Sequence, residues 1–292
     1  MTIASSPPEL PALDTLLDVL RGRRIVVLAG AGCSTESGIP DYRGPESRLL
    51  PRKPIQYQEF IGSEPARVRY WARSTVGWSR VADARPNAGH VALAQLEAGG
   101  VAEGIITQNV DGLHQAAGSR RVVELHGSLA WVRCLACGAA GRRGEYQERL
   151  LALNAGWAER LREPTGRADV EMAPDGDAEL VLWPLDSFRV PACPTCGGIV
   201  KPDVVFFGEN VPPQRVQEAW RLFEEADVLL VVGSSLTVYS GRRFIYRAQQ
   251  DGIPIGIVNL GPTRADELAA AKVEGRLGTV LPRLADALLR RS

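Results

Sequence analysis

Short apolar runs, each closed by glycine or polar residues, recur along the chain and set its plan. Arg24 to Ala29 is a β-branched run that stops at Gly30, so it reads as a strand buried on both faces. The runs Gly104–Thr107, Val122–Leu125, Val204–Phe207, Asp227–Val232 and Ile255–Asn259 read the same way. Helical patterns lie between them, at His90–Ala98 and Pro213–Ala226. In the second, Val216, Ala219, Trp220 and Phe223 recur at i, i+3, i+4 and i+7, which puts them on one helix face. Leu281 to Arg291 reads as a closing amphipathic helix. Strands that alternate with helices predict an α/β fold, a doubly wound parallel sheet covered on both faces.

Two stretches interrupt this rhythm. Residues 48–85 are rich in Trp, Tyr, Arg and Pro and predict a helical insertion. Residues 129–199 carry two cysteine pairs and, between them, the polar segment Ala173-Pro174-Asp175-Gly176-Asp177. The expected division is a large Rossmann-like domain from 21–47, 86–128 and 200–290. A smaller lobe would combine the insertion at 48–85 with a cysteine module at 129–199. At 292 residues the chain is long enough to bury a core without disulfides.

Charge narrows the function. Thirty-four basic residues balance thirty-four acidic ones, so the chain lacks the basic excess that non-specific nucleic-acid binding requires. No run of eighteen apolar residues is present to form a membrane-spanning helix. The first residues, Met1 to Pro8, have neither a basic nor an apolar stretch of the secretory type. A cytoplasmic address is therefore expected, or a mitochondrial matrix one for a eukaryotic source. Neither nucleic acid nor a membrane is an expected partner, and the chain is expected to be a monomer.

Cys134-x2-Cys137 and Cys193-x2-Cys196 are the strongest local signal, each pair followed by a glycine. Four thiolates close a tetrahedral Zn²⁺ site with no open position, which makes such an ion structural; a redox pair is the alternative, disfavoured by two pairs that each carry a glycine. Cys33 is left over, in a glycine-rich turn, and reads as a small packing residue.

Gly30-Ala31-Gly32-Cys33-Ser34 follows directly on the first strand, where a dinucleotide pyrophosphate binds in open α/β sheets. The usual third glycine is Thr35, so the turn alone is equally a turn of special backbone geometry. Gln108 to His114 and Glu124-Leu125-His126-Gly127 end the next two strands, bringing amide, carboxylate and imidazole groups to the same crevice. His126 is the candidate general base. His90 reads as a capping or core histidine, and His114 as structural.

These segments together resemble the sirtuins. Gly30 through Arg43 (GAGCSTESGIPDYR), Gln108 to His114, Glu124–Gly127, the cysteine quartet, Lys201–Glu209 and Gly233–Leu236 reproduce that family's ordered set. Arg69–Arg73, Gly77-Trp78, Tyr239-Ser240-Gly241 and Gly261–Arg264 are similar to the class II branch, the mitochondrial lipoamidase-type sirtuins and their bacterial relatives.

The resemblance implies an NAD-dependent protein-lysine deacylase releasing nicotinamide, O-acyl-ADP-ribose and free lysine, with one structural zinc ion. On that pattern His126 deprotonates a ribose hydroxyl, which attacks the imidate intermediate, and Asn109 assists. Gly30, Ala31, Gly32, Ser34, Tyr42 and Arg43 would bind the cofactor, with Gln108, Asn109, Val110 and Asp111 around the nicotinamide end. Gly233, Ser234, Ser235, Asn259, Leu260, Gly261 and Leu277 would line its adenosine side. Val204, Val205 and Phe206 would pair with an acyl-lysine peptide as an added strand. Tyr70 and Arg73 resemble the Tyr-x-x-Arg by which class III sirtuins read acidic acyl groups; packing of the small lobe explains them equally well. Longer or acidic acyl groups are expected over acetyl, and no serine or cysteine nucleophile paired with the base is expected. A protein mono-ADP-ribosyltransferase is the alternative.

Overall fold

A computed structural model describes residues 10–42, 54–162, 185 and 187–290. A six-stranded, all-parallel sheet organises the larger part. Its strands are β1 (Ile25–Ala29), β2 (Ala102–Thr107), β3 (Val122–Glu124), β7 (Val228–Val232), β8 (Ile255–Asn259) and β9 (Ala271–Glu274), in the order β3-β2-β1-β7-β8-β9. The order reverses between β1 and β7, the point at which open α/β sheets leave a crevice beyond the strands' carboxyl ends.

The period-2 alternation of the strands feeds two separate cores. Ile25, Val27 and Ala29 of β1 and Val228, Leu230 and Val232 of β7 face one side. There they meet α1 (Leu10–Leu20), α4 (Ala88–Ala98) and α10 (Leu277–Leu289). Val26, Leu28, Leu229 and Val231 face the other side, against α8 (Pro213–Glu224) and α9 (Tyr239–Gln250). In α8 the expected apolar stripe is present: Ala219 and Phe223 are buried, and the half-buried Trp220 packs 4.4 Å from Phe244. The ends of these helices are locally encoded. Asn87 accepts hydrogen bonds from Gly89 N and His90 N at the start of α4, while His90 Nδ1 accepts from Asn87 N. That is a reciprocal capping box, with histidine in the place of the usual Glu or Gln.

A third core belongs to the smaller lobe. The helices α2 (Tyr57–Gly62) and α3 (Glu64–Asp83) contribute Phe60, Tyr70 and Trp71. A three-stranded sheet, β5-β4-β6, is formed by β4 (Gly127–Cys134), β5 (Ala140–Arg142) and β6 (Val200–Val204). Helices α5 (Leu113–Ala116), α6 (Arg143–Leu153) and α7 (Ala155–Arg162) complete the fold. The polar segment at 173–177 and residues 48–53 of the expected insertion lie outside the described residues.

One expectation is corrected here. The run Val204–Phe207 is not a strand of the parallel sheet, nor does residue 200 begin that sheet's territory. The strand is Val200–Val204, and it pairs antiparallel with β4, with Val200 opposite Cys134. The reason lies in the cysteines. β4 ends in the first pair and β6 begins just after the second, so the two strands leave the sulfur cluster side by side. Residues 205–207 run on past the strand, and Phe207 makes an isolated bridge to Gln56. The elements α1, α5, α6, α7, α9, β4, β5 and β9 have no counterpart in the sequence pattern.

Candidate active site

The crevice beyond β1 and β7 holds a cavity of about 500 Å³, within the range of cofactor and small-molecule sites. Its floor is a crossing of two glycine turns. Gly30 N donates to Val232 O at 3.0 Å and Gly32 N to Gly233 O at 2.8 Å. A Cβ on Gly32 would stand 2.9 Å from Gly233 Cα. One on Gly233, whose φ is +59°, would stand 2.5 Å from Cys33 N. Side chains are excluded here by contact as well as by conformation, which leaves peptide groups bare to the cavity.

Polar side chains are wired around this floor. Ser34 Oγ accepts from Asn109 Nδ2 at 3.2 Å and donates to Asp111 Oδ2 at 2.7 Å. Asp111 Oδ1 in turn accepts from Leu113 N at the start of α5. Gln108 follows β2, takes its backbone position by donating N–H to Ala29 O, and donates Nε2–H to Ser234 Oγ at 3.1 Å. Asn259, at the end of β8, donates to the carbonyls of Leu260 and Gly261. Across the cavity mouth Tyr42 packs edge-on to Phe207, with ring centroids 6.0 Å apart.

His126 stands at the inner wall. Its Nδ1 lies 2.9 Å from Gln108 O and its Nε2 lies 2.7 Å from Ser240 Oγ. A carbonyl oxygen can only accept, so Nδ1 carries the ring proton and Nε2 presents the lone pair. Burial lowers the imidazole's pKa from its ordinary value. The Gln108 hydrogen bond works against that shift, and the Arg243 and Arg215 guanidinium groups add to it. The next residue, Gly127, has φ +81°, and a Cβ there would fall 2.0 Å from Asp203 O. That close approach lets Val205 N donate to His126 O at 2.8 Å.

The segment 204–209 is shaped by a buried ion pair. Lys201 Nζ lies 3.0 Å from Glu209 Oε2, and the same carboxylate oxygen accepts from Phe206 N at 2.8 Å. Lys201 Nζ also donates to Val204 O and sits 4.4 Å from the Phe206 ring. Val204, Val205 and Phe206 thereby form one wall of the cavity.

The structure brings together Gly30, Ala31, Gly32, Ser34, Tyr42, Gln108, Asn109, Val110, Asp111 and His126 in one cavity lining. Gly233, Ser234, Ser235, Asn259, Leu260 and Leu277 line the same cavity. Arg43 lies outside the described residues. Gly261 is not part of the lining, although its carbonyl is held by Asn259 and by Lys272 Nζ. Tyr70 and Arg73 are not part of it either. Tyr70 stands behind the wall, 5.1 Å from the Phe206 ring and 5.5 Å from Phe60, and Arg73 is half-buried further along α3. The structure also corrects one reading: a serine, Ser240, does pair with His126. It is 114 residues away in sequence, and nothing in the Tyr239-Ser240-Gly241 motif says that its hydroxyl meets the imidazole. Arg243, one turn further along α9, lines the cavity as well.

Away from the cavity, Cys134, Cys137, Cys193 and Cys196 place four Sγ atoms within 4.8 Å of one another. Cys134 Sγ lies 3.5 Å from Cys196 Sγ and Cys137 Sγ 3.8 Å from Cys193 Sγ. A tetrahedral Zn²⁺ with about 2.3 Å bonds sets sulfurs roughly 3.8 Å apart, so the cluster fits that ion. Gly138 N donates to Cys134 O and Gly197 N to Cys193 O, closing two matching turns. Backbone N–H groups of Cys196 and Thr195 pull the Cys193 thiol down, while the neighbouring sulfurs push Cys196 up; a bound metal would hold all four as thiolates.

Comparison with known proteins agrees with this geometry. Residues 30–240 match the profile of the Sir2 family. An "NAD-dependent protein deacetylase" of Bordetella bronchiseptica is 52% identical over 270 residues, covering 91% of this chain and 96% of the relative. "NAD-dependent protein deacetylase 1" of Mycobacterium avium is 54% identical over 289 residues, covering 99% and 98%. Among solved structures, one described as "Sir2-p53 peptide-NAD+" superposes with a TM-score of 0.72 at 32% identity, over 94% of this chain and 98% of that one. Another, described as "Structural Basis for the Mechanism and Regulation of Sir2 Enzymes", gives a TM-score of 0.74, over 97% and 99%. With its glycine crossing, its cavity-lining imidazole and its four-thiolate cluster, the chain belongs to the Sir2 family, the sirtuins.

Proposed function

We propose that this protein is an NAD-dependent protein-lysine deacylase, in which His126 is the general base and Asn109 holds the reacting end of the dinucleotide. The observation that carries the reading is the placement of His126. A half-buried imidazole, its Nδ1 held by Gln108 O and its Nε2 left with the lone pair, lines the cavity that begins at the bare glycine crossing. NAD would supply an electrophilic ribose carbon once nicotinamide leaves, and the amide oxygen of an acyl-lysine would be the group that attacks it.

The chain's own residues account for the rest. The peptide groups of Gly30, Ala31 and Gly32 suit a pyrophosphate. Asn109 and Asp111 are locked to each other through Ser34, so an amide and a carboxylate are fixed before anything binds. The backbone of 204–206 is held by Lys201 and Glu209 and suits pairing with an extended peptide. The cysteine cluster is remote from the cavity lining and closed by four thiolates, so its ion would stabilise the fold.

Acyl chains longer than acetyl form the finer part of the reading. The Phe206 wall backs onto Phe60, Tyr70 and Trp71, an apolar aromatic cluster. A chain passing Phe206 would meet that cluster, and Arg73 stands one turn beyond it on α3. Arg73→Ala should then lower kcat/KM selectively for succinyl- or hydroxymethylglutaryl-lysine peptides. An equal loss on acetyl-lysine would make Arg73 a packing residue.

The test is nicotinamide release from NAD with a panel of acyl-lysine peptides, wild type beside His126→Ala. Release that depends on peptide and falls by about 10²–10⁴-fold in the variant supports the reading. Release unchanged in the variant would remove His126 from the role of base.

A further inference from the structure

The contact between His126 and Ser240 has no place in the scheme so far. Ser240 is the second residue of α9. Its hydroxyl is 2.7 Å from Nε2, the nitrogen left with the lone pair, and the residue is 8% exposed on the cavity wall. With Nδ1–H directed at Gln108 O, Ser240 Oγ–H is the donor and Nε2 the acceptor. The base's lone pair is thus already directed at a hydroxyl of the protein.

The position is also held firmly. Gly241, the next residue, leaves no room for a side chain, because a Cβ there would stand 2.7–2.8 Å from the Gln108 side-chain amide. Gln108 thus braces both partners: its carbonyl oxygen receives the ring proton of His126, and its side chain packs against the backbone that carries Ser240. A base oriented by a third group, with a hydroxyl in short contact on its far side, is an arrangement in which the hydroxyl's proton can pass to the base.

From this geometry we infer that Ser240 is a second proton carrier between His126 and the hydroxyl the base must activate. The inference rests on the deacylase reading above. As the ribose O–H bond breaks, its proton goes to Ser240 Oγ, and the original Oγ–H proton goes to Nε2. The products are a developing ribose oxyanion, an intact serine hydroxyl and an imidazolium. Two O–H bonds break, one O–H and one N–H bond form, and no external acid, base or oxidant is used. The serine acquires no acyl group at any stage.

The experiment is single-turnover deacylation of an acyl-lysine peptide in wild type, Ser240→Ala and Ser240→Thr, with NAD affinity measured in parallel. Ser240→Ala should slow product formation tenfold or more while NAD affinity stays within about twofold. Ser240→Thr, which keeps a hydroxyl, should recover to within about threefold of wild type. The dependence of the wild-type rate on the fraction of D₂O should be bowed, as two protons in flight require, and it should become linear in Ser240→Ala. A wild-type rate in Ser240→Ala, or a straight D₂O dependence in wild type, would overturn the relay. Equal loss in the Ala and Thr variants with NAD binding intact would overturn it too, since the site would then need serine's shape rather than its hydroxyl. In each of these cases the wild-type activity and its loss in His126→Ala would stand. Absence of any peptide-dependent nicotinamide release in wild type would instead strike the deacylase reading itself, and this inference with it.

Discussion

At the residue scale, His126 is tuned by opposing influences. Burial and the Arg243 and Arg215 guanidinium groups favour the neutral ring, and the hydrogen bond to Gln108 O opposes them with less effect, so the pKa falls. A base with a lowered pKa stays deprotonated further into acid. The acidic limb of kcat/KM should therefore lie below the ordinary histidine value of about 6.5. Arg243→Gln should move the limb upward, because a neighbouring positive charge is removed. A limb at or above 6.5 in wild type would contradict this account of the site. His126 was legible in the sequence, because a histidine before a glycine at a strand end is a local feature. Ser240 was not, because its meaning comes from a partner 114 residues away. The Lys201–Glu209 pair shows the same division. The stretch containing both residues could be read as one motif, but nothing in its spacing said that Lys201 would be buried against Phe206.

At the scale of elements, the glycine crossing and the α4–α5 contact make the clearest predictions. Gly233→Ala would place a Cβ 2.5 Å from Cys33 N at a φ of +59°, so both contact and backbone conformation oppose it. The cost should be about 3 kcal/mol or more, read as a lower Tm together with lost NAD binding. A variant with wild-type Tm would show that the two turns can separate freely.

Between α4 and α5, His90 and His114 meet edge to face with centroids 4.8 Å apart. Burial, and then the neighbouring His90, push His114 down to about 3 from an ordinary 6.5. The unfolded chain takes up this proton near 6.5 and the folded chain does so only near 3. Stability from this group is therefore present above about 6.5 and is lost as the pH falls toward 3. His114→Phe should flatten the decline of Tm between pH 6.5 and 4, and an unchanged slope would remove His114 as its source. Strand type was legible wherever apolar runs were long. Sheet membership was not: Val200–Val204 went to the smaller sheet because the cysteine turns set its neighbour. The short β9, whose Lys272 and Glu274 alternate with buried Ala271 and Val273, had too little apolar length to announce itself.

At the scale of the molecule, three cores divide the labour. Two sandwich the parallel sheet and hold the crevice ends of β1 and β7 in place, and the third joins the cysteine module to α2 and α3. Among the described residues no helix is long and apolar enough to cross a membrane. Metal analysis should find about one zinc per chain. Chelation should melt the smaller lobe while most of the parallel sheet persists, giving a biphasic loss of far-ultraviolet dichroism and no deacylation. A single cooperative loss would show that the cores do not separate. The α/β class, the glycine turn and the four ligands were legible because each is written in contiguous residues. The joining of the lobes across the 204–209 segment was not, since it depends on which strands the sulfur cluster sets side by side.

The most direct test of the account as a whole is to follow the acyl group. Wild-type protein, NAD and a peptide with an isotopically labelled acyl-lysine should yield labelled O-acyl-ADP-ribose, nicotinamide and free lysine in equal amounts by mass spectrometry. Label released as free acid, or ADP-ribose attached to protein with the acyl-lysine intact, would contradict it.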